Sequence, residues 1–228
     1  GAALSVANSQ IDNLSGYFIN NKTVSQNSAQ AALTMYTNLE DDGSVTHKSI
    51  IKNLQGIFIN NGTEGNQDDS SYIGATGGAI YNYNGEIGSI KNSLFANNYA
   101  YNKSGASAAW GGAIYNRGAI TAIGDIEADF SGNYAKSNGD TSGGAILNAQ
   151  AKIGFIKGNF DNNRAVSLNS YSNGGAIYNV SASIKGISGN FVNNYAEGNR
   201  DDSRYIGAMG GAIFNNGEIG SIKGGSFV

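Results

Sequence analysis

The chain has no cysteine, few charged residues and no long apolar run. Without cysteine, disulfide frameworks and thiolate zinc sites are excluded. Only 14% of the residues are charged and the net charge is −3 at pH 7, so the sequence lacks the basic footprint of a nucleic-acid-binding protein. No apolar run approaches the roughly 18 residues that a membrane-spanning helix needs. We therefore expect no nucleic-acid partner and no membrane span in this segment.

Glycine and asparagine are abundant, with 34 glycines among 228 residues. Such enrichment also occurs in disordered chains. However, 40% of the residues are hydrophobic, and a chain of this length is long enough to bury a sizeable core. We therefore interpret the chain as folded.

The dominant feature of the sequence is an internal repeat. The tetrapeptide Gly-Gly-Ala-Ile occurs five times, at a period of about 31 to 36 residues, and Phe-x-x-Asn follows each copy after about 17 to 19 residues. Ile-Gly-x-Ile lies between the two motifs in four of the units. The copies of Gly-Gly-Ala-Ile begin at Gly77, Gly111, Gly143, Gly174 and Gly210.

Each unit contains three short apolar segments separated by Gly, Asn and Ser. Ile126, Ala128 and Phe130 alternate with polar residues at a period of two, which is typical of a half-buried strand. Units of about 33 residues with about three short strands per coil predict an all-β solenoid whose strands pair in parallel from coil to coil. We therefore predict a right-handed parallel β-helix. A propeller needs longer units, and the Leu ladder of leucine-rich repeats is missing.

The repeat predicts one β-helix segment over residues 1–228, with about seven coils. Residues 1–61 are predicted to form degenerate coils with an insertion, because no intact Gly-Gly-Ala-Ile lies between the first two Phe-x-x-Asn motifs. Residues 62–228 are predicted to form the regular coils. The last unit stops at Val228 inside its motif, so we expect the chain to be a fragment of a longer one.

Equivalent residues of successive units should form columns along the solenoid. We expect the Ile of Gly-Gly-Ala-Ile and the Phe of Phe-x-x-Asn to point into the core. The glycine pair at the start of each motif should mark a corner that needs a positive φ or a close backbone approach, and the Asn of Phe-x-x-Asn should form a ladder of hydrogen-bonded amides. These structural residues are Ile80, Ile114, Ile146, Ile177, Ile213, Phe95, Phe130, Phe160, Phe191, Asn98, Asn133, Asn163 and Asn194.

A candidate interaction surface follows from the same alignment. If the Ile column points inward, the next residue points outward, and this position is aromatic in four of the five units. Exposed apolar patches often mark interaction sites, and loops on a rigid scaffold often carry recognition. We therefore predict binding through the aromatic column and through the loops between Phe-x-x-Asn and Gly-Gly-Ala-Ile. The column comprises Tyr81, Tyr115, Tyr178 and Phe214, and the loops are Tyr101 to Trp110 and Val166 to Asn173.

The sequence shows no catalytic constellation. The single His47 has no partner pattern for a nucleophilic triad and should be solvated. Asp125, Glu127 and Asp129 form the densest carboxylate cluster, and a solvated outer face accounts for their spacing better than an acid pair or a calcium site does. We expect no catalytic residue, no cofactor and no metal. Calcium stays an open alternative at the acidic pairs Asp41-Asp42, Asp68-Asp69 and Asp201-Asp202.

The alternation of Gly-Gly-Ala-Ile with Phe-x-x-Asn resembles the chlamydial polymorphic membrane proteins and related autotransporter passengers. The resemblance covers nearly the whole chain from Phe58 onward, whereas the N-terminal coil carries Ala31-Ala-Leu-Thr-Met35 in place of the first motif. It implies a β-helical passenger that is exported through an outer-membrane β-barrel and acts mainly in adhesion. Many chlamydial members carry cysteine, so its absence here favours a broader bacterial autotransporter relative.

Three functions are weighed on this basis. The first is an adhesin or stalk segment that acts without catalysis at the bacterial cell surface or in secreted form. Its partners would be a host-cell or neighbouring-cell surface protein or glycan, or another copy of the rod. The second is a polysaccharide lyase or glycosidase on a β-helix scaffold, since fold alone does not decide function. The third is a purely structural spacer or self-assembling filament.

Overall fold

The structure is a computed structural model that describes residues 2–25, 30–66, 73–103, 105, 107–199 and 207–228. All strand pairs among these residues are parallel, and the described part of the chain contains no helix. The strands of the N-terminal half are β1 (Leu4–Ala7), β2 (Gln10–Ile19), β3 (Lys22–Ser25), β4 (Leu33–Tyr36), β5 (Ile50–Ile59), β6 (Gly62–Gly65), β7 (Ile73–Thr76), β8 (Ile80–Tyr83), β9 (Glu86–Ala96), β10 (Tyr99–Asn102), β11 (Ala108–Trp110) and β12 (Ile114–Arg117). Those of the C-terminal half are β13 (Ala122–Ser131), β14 (Tyr134–Ser137), β15 (Thr141–Ser142), β16 (Ile146–Ala149), β17 (Lys152–Lys157), β18 (Phe160–Asp161), β19 (Arg164–Ser167), β20 (Ser172–Asn173), β21 (Ile177–Ser188), β22 (Phe191–Val192), β23 (Tyr195–Gly198), β24 (Ala208–Met209) and β25 (Ile213–Ile219).

The strands stack into three sheets, which confirms the prediction of a parallel β-helix. The largest sheet has 14 strands and contains two ladders. We call these the Ile ladder (β1, β4, β8, β12, β16, the start of β21, β25) and the Phe ladder (β2, β5, β9, β13, β17 with β18, the end of β21 with β22). They merge into one sheet because β21 runs through both. The Tyr sheet contains β3, β6, β10, β14, β19 and β23, and the short sheet contains β7, β11, β15, β20 and β24.

The strands begin and end at other residues than the three short apolar segments of each unit predicted. Ile-Gly-x-Ile and the following Phe lie on a single long strand, as in β9 and β13. The segments expected to be loops carry the strands of two further sheets, β10 and β11 in one coil and β19 and β20 in another. In β10, Ala100 and Asn102 point inward. Period-two alternation is therefore present, but its inward residues are too small and polar to stand out as a hydrophobic pattern.

The core is filled by the predicted Ile and Phe columns. Ile80, Ile114, Ile146 and Ile177 are fully buried and occupy equivalent positions in adjacent strands. Ile213 is only partly buried, since β25 has no strand of this ladder above it among the described residues. The rings of the Phe column stack with centroids 4.6 to 4.9 Å apart, one ring per coil. This spacing matches the distance of about 4.8 Å between paired strands.

The glycine pair of each repeat lies at a corner, where its two residues have different roles. The first glycine has a positive φ, for example 63° in Gly111, a conformation that glycine adopts without steric cost. The second glycine lies against the backbone of the next coil. A Cβ added to Gly112 would lie 2.1 Å from the carbonyl oxygen of Gly144. Only glycine allows this approach of two coils.

The predicted ladder of asparagine amides forms along one corner of the rod. The side chain of Asn98 donates to Oδ1 of Asn133 at 3.0 Å, and Asn133 donates to Asn163 at 2.9 Å. Each amide of the buried series also donates to a phenylalanine carbonyl, as Asn133 does to Phe95 at 2.9 Å. Asn163 bonds in the same way to Asn194. The ladder therefore satisfies polar groups that the corner would otherwise bury without partners.

A second asparagine ladder lies in the Ile ladder and was missed in the sequence. The amide of Asn82 donates to Asn116 at 2.9 Å, and equivalent bonds of 2.8 Å continue the series through Asn148 and Asn179 to Asn215. The signal was present, because an asparagine stands two residues after the Ile in every Gly-Gly-Ala-Ile unit. The series begins at Asn82 because Met35 occupies the equivalent position one coil earlier.

The first coils continue the same ladders despite their degenerate sequence. β1 pairs with β4, and β2 pairs with β5 over nearly their full length. Residues 37–49 connect β4 to β5, whereas Asn84 and Gly85 alone connect β8 to β9. Thr37 and Ser49 close this longer connection through a buried hydrogen bond of 2.8 Å from the Ser49 backbone N–H. His47 lies in the connection and is exposed.

Candidate functional site

The aromatic column runs along the outer face of the Ile ladder. Tyr81, Tyr115, Leu147, Tyr178 and Phe214 occupy equivalent positions in adjacent strands. The rings of Tyr81 and Tyr115 stack at 5.1 Å, and those of Tyr178 and Phe214 stack at 5.3 Å. Leu147 stands between these two stacks, so the stack of rings is interrupted for one coil.

The column is not the exposed stripe that the sequence predicted. Tyr115 is only 1% exposed, while Tyr81, Tyr178 and Phe214 are partly buried. Trp110 lies beside Tyr115, with ring centroids 6.3 Å apart and nearly parallel planes. The guanidinium of Arg117 donates to the Tyr115 hydroxyl at 3.2 Å and lies 5.8 Å from the centre of the Trp110 ring. Side chains from two neighbouring columns therefore cover the middle of the predicted surface.

A cleft of about 310 Å³ opens where the column is interrupted. It arises because one coil carries small side chains in three adjacent columns. Ser142 follows Trp110, Leu147 follows Tyr115, and Ala149 follows Arg117. On the far side of the cleft, the same columns carry Asn173, Tyr178 and Val180. We call this space the Leu147 cleft.

Polar groups surround the Leu147 cleft. Arg117, Asp140 and Asn173 line it together with Tyr171. Asp140 is exposed, and its carboxylate accepts a hydrogen bond of 2.6 Å from Ser170. Burial, together with the negative charge of Asp140, raises the pKa of the Tyr178 hydroxyl. Oδ1 of Asn173 is buried and accepts no hydrogen bond from the part of the chain that the structure describes.

The carboxylate cluster on β13 is engaged in contacts between coils. Asp125 accepts a hydrogen bond of 2.9 Å from the backbone N–H of Phe155. Glu127 forms an ion pair with Lys157 at 3.1 Å. Asp129 accepts from the backbone of Asn159 at 2.8 Å and from its side-chain amide at 3.1 Å. A shallow groove of about 520 Å³ runs beside Glu127 and Asp129, but all three carboxylates are exposed and already hold the next coil.

Glu64 is a buried carboxylate that the sequence reasoning did not single out. Its side chain is 8% exposed and forms ion pairs with Lys22, at 2.6 Å, and with Lys103. The Tyr99 hydroxyl donates to it at 3.1 Å. Burial alone would raise the pKa of Glu64, but hydrogen bonds from Lys103, Lys22 and Tyr99 outweigh it and hold the pKa below its ordinary value. Burial and the nearby charge of Glu64 raise the pKa of Tyr99 to about 12. The group joins three coils of the Tyr sheet.

The acidic pairs weighed as calcium sites are only partly described. Asp41 and Asp42 are exposed, and Asp42 accepts a hydrogen bond of 2.8 Å from the backbone of Ser44. No group of three or more His, Asp or Glu side chains in the described ranges is arranged to hold a metal ion. Asp68, Asp69, Asp201 and Asp202 lie outside these ranges. The described residues form no helix that is long and apolar enough to cross a membrane.

Comparison with known proteins supports the repeat assignment. Residues 92–117 and 158–180 match the model of the Chlamydia polymorphic membrane protein repeat. Each match runs from the end of a Phe-ladder strand across the Tyr sheet and the short sheet to the Ile ladder of the next coil. No curated protein and no solved structure matches the chain. The motifs, the stacked coils and these two matches together show that the repeats of this chain are similar to those of the Chlamydia polymorphic membrane proteins.

Proposed function

We propose that this chain is a non-catalytic adhesin segment of a surface-exposed, autotransporter-like passenger. The observation that carries the proposal is the Leu147 cleft, an opening bordered by aromatic and polar side chains on the outer face of the rod. Clefts that combine apolar walls with a few polar groups are typical of binding sites. The match to a repeat of chlamydial membrane proteins supports a location at the cell surface.

The rigidity of the scaffold supports a binding role. Two asparagine ladders and a continuous stack of phenylalanine rings hold successive coils together. The walls of the Leu147 cleft therefore stand on strands whose spacing cannot change without breaking these contacts. A preorganised site of this kind loses little conformational entropy when it binds a partner.

The state of the carboxylates supports an absence of catalysis. Asp125, Glu127 and Asp129 are exposed, and each is bonded to the neighbouring coil. A glycosidase acid needs a raised pKa, which usually comes from burial. Glu64 is buried, but its pKa is lowered by two lysines, which is the opposite of what a general acid requires.

The test is binding of the purified chain to host cells and to bacterial cells. We expect a double variant, Trp110→Ala with Tyr178→Ser, to lose binding because both rings border the cleft. The control is Tyr17→Ser, since Tyr17 is 77% exposed and lies on β2. Tyr115 is unsuitable for this test, because it is buried and its removal would leave a cavity that destabilises the fold.

Three results would contradict the proposal. The cleft would be excluded as the binding site if the double variant and the Tyr17→Ser control bound cells equally well and circular dichroism showed that both were folded. No binding of the unaltered chain to any cell type would favour a spacer. Cleavage of a polysaccharide, lost in Glu127→Gln, would favour an enzyme.

A further inference from the structure

We infer that the Leu147 cleft binds a single sugar ring of a cell-surface glycan, an inference that rests on the proposed adhesin function and adds the class of ligand. The cleft is one coil high, and its volume of about 310 Å³ is near the lower end of the range for small-ligand pockets. A folded protein surface is too broad to enter it, whereas a pyranose ring with its hydroxyl groups is of suitable size.

Aromatic rings border the cleft on the coils before and after Leu147. Trp110 lies on the coil before Leu147, and Tyr178 lies on the coil after it. Two coil steps separate these coils by about 10 Å. A sugar ring in van der Waals contact with an aromatic wall lies about 3.5 to 4 Å from it, so a gap of this height admits one sugar ring stacked on either wall. The apolar C–H faces of a pyranose suit such walls.

The polar groups of the cleft match hydroxyl groups better than they match a charged ligand. Arg117 provides donors and is held in place by the Tyr115 hydroxyl. Asp140 provides an acceptor elsewhere in the lining, so the cleft carries one formal charge of each sign. Oδ1 of Asn173 is a buried acceptor without a donor among the described residues, which is costly unless a ligand or water supplies one. A neutral sugar hydroxyl would supply that donor.

The chain contains its own probe for this site. Trp110 is the only tryptophan among the 228 residues, so intrinsic fluorescence reports directly on a ring that stacks against the cleft wall. The experiment applies the 228-residue chain to a glycan array and then titrates it with lactose, N-acetyllactosamine, maltotriose and 3′-sialyllactose. We expect array binding and a saturable change in Trp110 emission with at least one neutral sugar.

The decisive variant is Leu147→Tyr. It inserts the aromatic residue that Tyr115 and Tyr178 provide in the adjacent coils, so it suits the column while filling the cleft. We expect sugar affinity to fall at least tenfold. The matched control is Val24→Tyr, which adds the same ring to the outer face of β3, where Val24 is 56% exposed, and it should leave affinity unchanged. Asp140→Ala, at an exposed position, is a second test that does not depend on the packing at Leu147, and it should lower affinity at least fivefold.

The results separate this inference from the proposed function. No response on the array or in any titration overturns the sugar site, even if the chain still binds cells. Equal sugar affinity in Leu147→Tyr, Asp140→Ala and the unaltered chain also overturns it. Cell binding that survives periodate oxidation of cell-surface glycans but is lost in Leu147→Tyr assigns the cleft to a protein side chain instead. Sugar binding without cell binding supports the site and contradicts the adhesin role.

Discussion

The buried amide of Asn98 donates a hydrogen bond of 3.0 Å to Oδ1 of Asn133, one coil further along the rod. The same oxygen also accepts from the backbone N–H of Asn98 at 3.0 Å. Asn133 in turn donates to Asn163 and to the carbonyl of Phe95. One side chain thus satisfies polar groups on both neighbouring coils, which makes the ladder a principal contact between coils.

Replacement of Asn133 by Ala should destabilise the chain by roughly 2 to 4 kcal/mol, because it leaves buried donors and acceptors on both neighbours without partners. Urea unfolding followed by circular dichroism measures the change. Asn190→Ala is the control, since Asn190 is exposed and donates to Asn159 on the outer surface. Its cost should stay under about 1 kcal/mol. Similar costs for both variants would show that the buried ladder contributes little.

Replacement of Ile146 by Ala should cost about 2 to 5 kcal/mol, the usual effect of a cavity in a packed core. Ile146 is fully buried between Ile114 and Ile177. The same change at Ile213, which is partly buried, should cost clearly less. Chemical denaturation of the two variants under identical conditions gives the comparison, and a larger loss at Ile213 would contradict the assigned core.

Replacement of Gly112 by Ala should destabilise the chain by about 3 kcal/mol. The added Cβ would lie 2.1 Å from the Gly144 carbonyl oxygen and 2.5 Å from that of Tyr134, and both are backbone atoms. Gly211→Ala is the matched control at the same motif position, because its nearest neighbour, the Asn194 oxygen, lies at an ordinary 3.5 Å. Thermal unfolding should show a lower Tm for Gly112→Ala alone, and a normal Tm would mean that the coils can move apart.

Replacement of Glu64 by Gln should remove a pH-dependent part of the stability. The pKa of Glu64 in the folded chain lies below its ordinary value of 4.5. Its contribution is therefore complete above that value and is lost as the pH falls through the lowered pKa. The unaltered chain should exceed Glu64→Gln in Tm at pH 7, and the difference should shrink as the pH falls below 4.5, the ordinary pKa of the carboxyl. Glu127→Gln, which alters an exposed ion pair, should show little difference at either pH. A constant difference for Glu64→Gln would contradict the assigned ion pairs.

The repeats predicted the fold because each motif residue meets its own equivalent in the next coil. The columns of Ile146 and Phe130 could be predicted from the length of the repeat and from the alternation of inward and outward residues. Parallel pairing brings identical positions of successive repeats together at each step. The ladder through Asn133 followed from the same rule. The second ladder, through Asn116, obeys it too, because an asparagine stands two residues after the Ile in every Gly-Gly-Ala-Ile unit.

The candidate site was less predictable, because it depends on contacts between different columns. The alternation of inward and outward residues predicts that Tyr115 lies on the outer face of the Ile ladder, and it does so in β12. However, Trp110 and Arg117 from two other columns cover it. These residues come from the corner between the short sheet and the Ile ladder, where the angle of the turn decides which side chains converge. The pattern of residues along the sequence contains no information on the angle of this turn.

The sequence by itself determined the coil, its core and the amides that join the coils, because these depend only on equivalent positions one repeat apart. Only the tertiary structure decided that Ser142, Leu147 and Ala149 lie together between larger neighbours. Each of the three residues is an ordinary member of its own column. A space forms only because the turn at the Gly143 corner places the three columns side by side. The cleft is thus a property of side-chain volumes summed across columns, which becomes visible once the coil is closed in three dimensions.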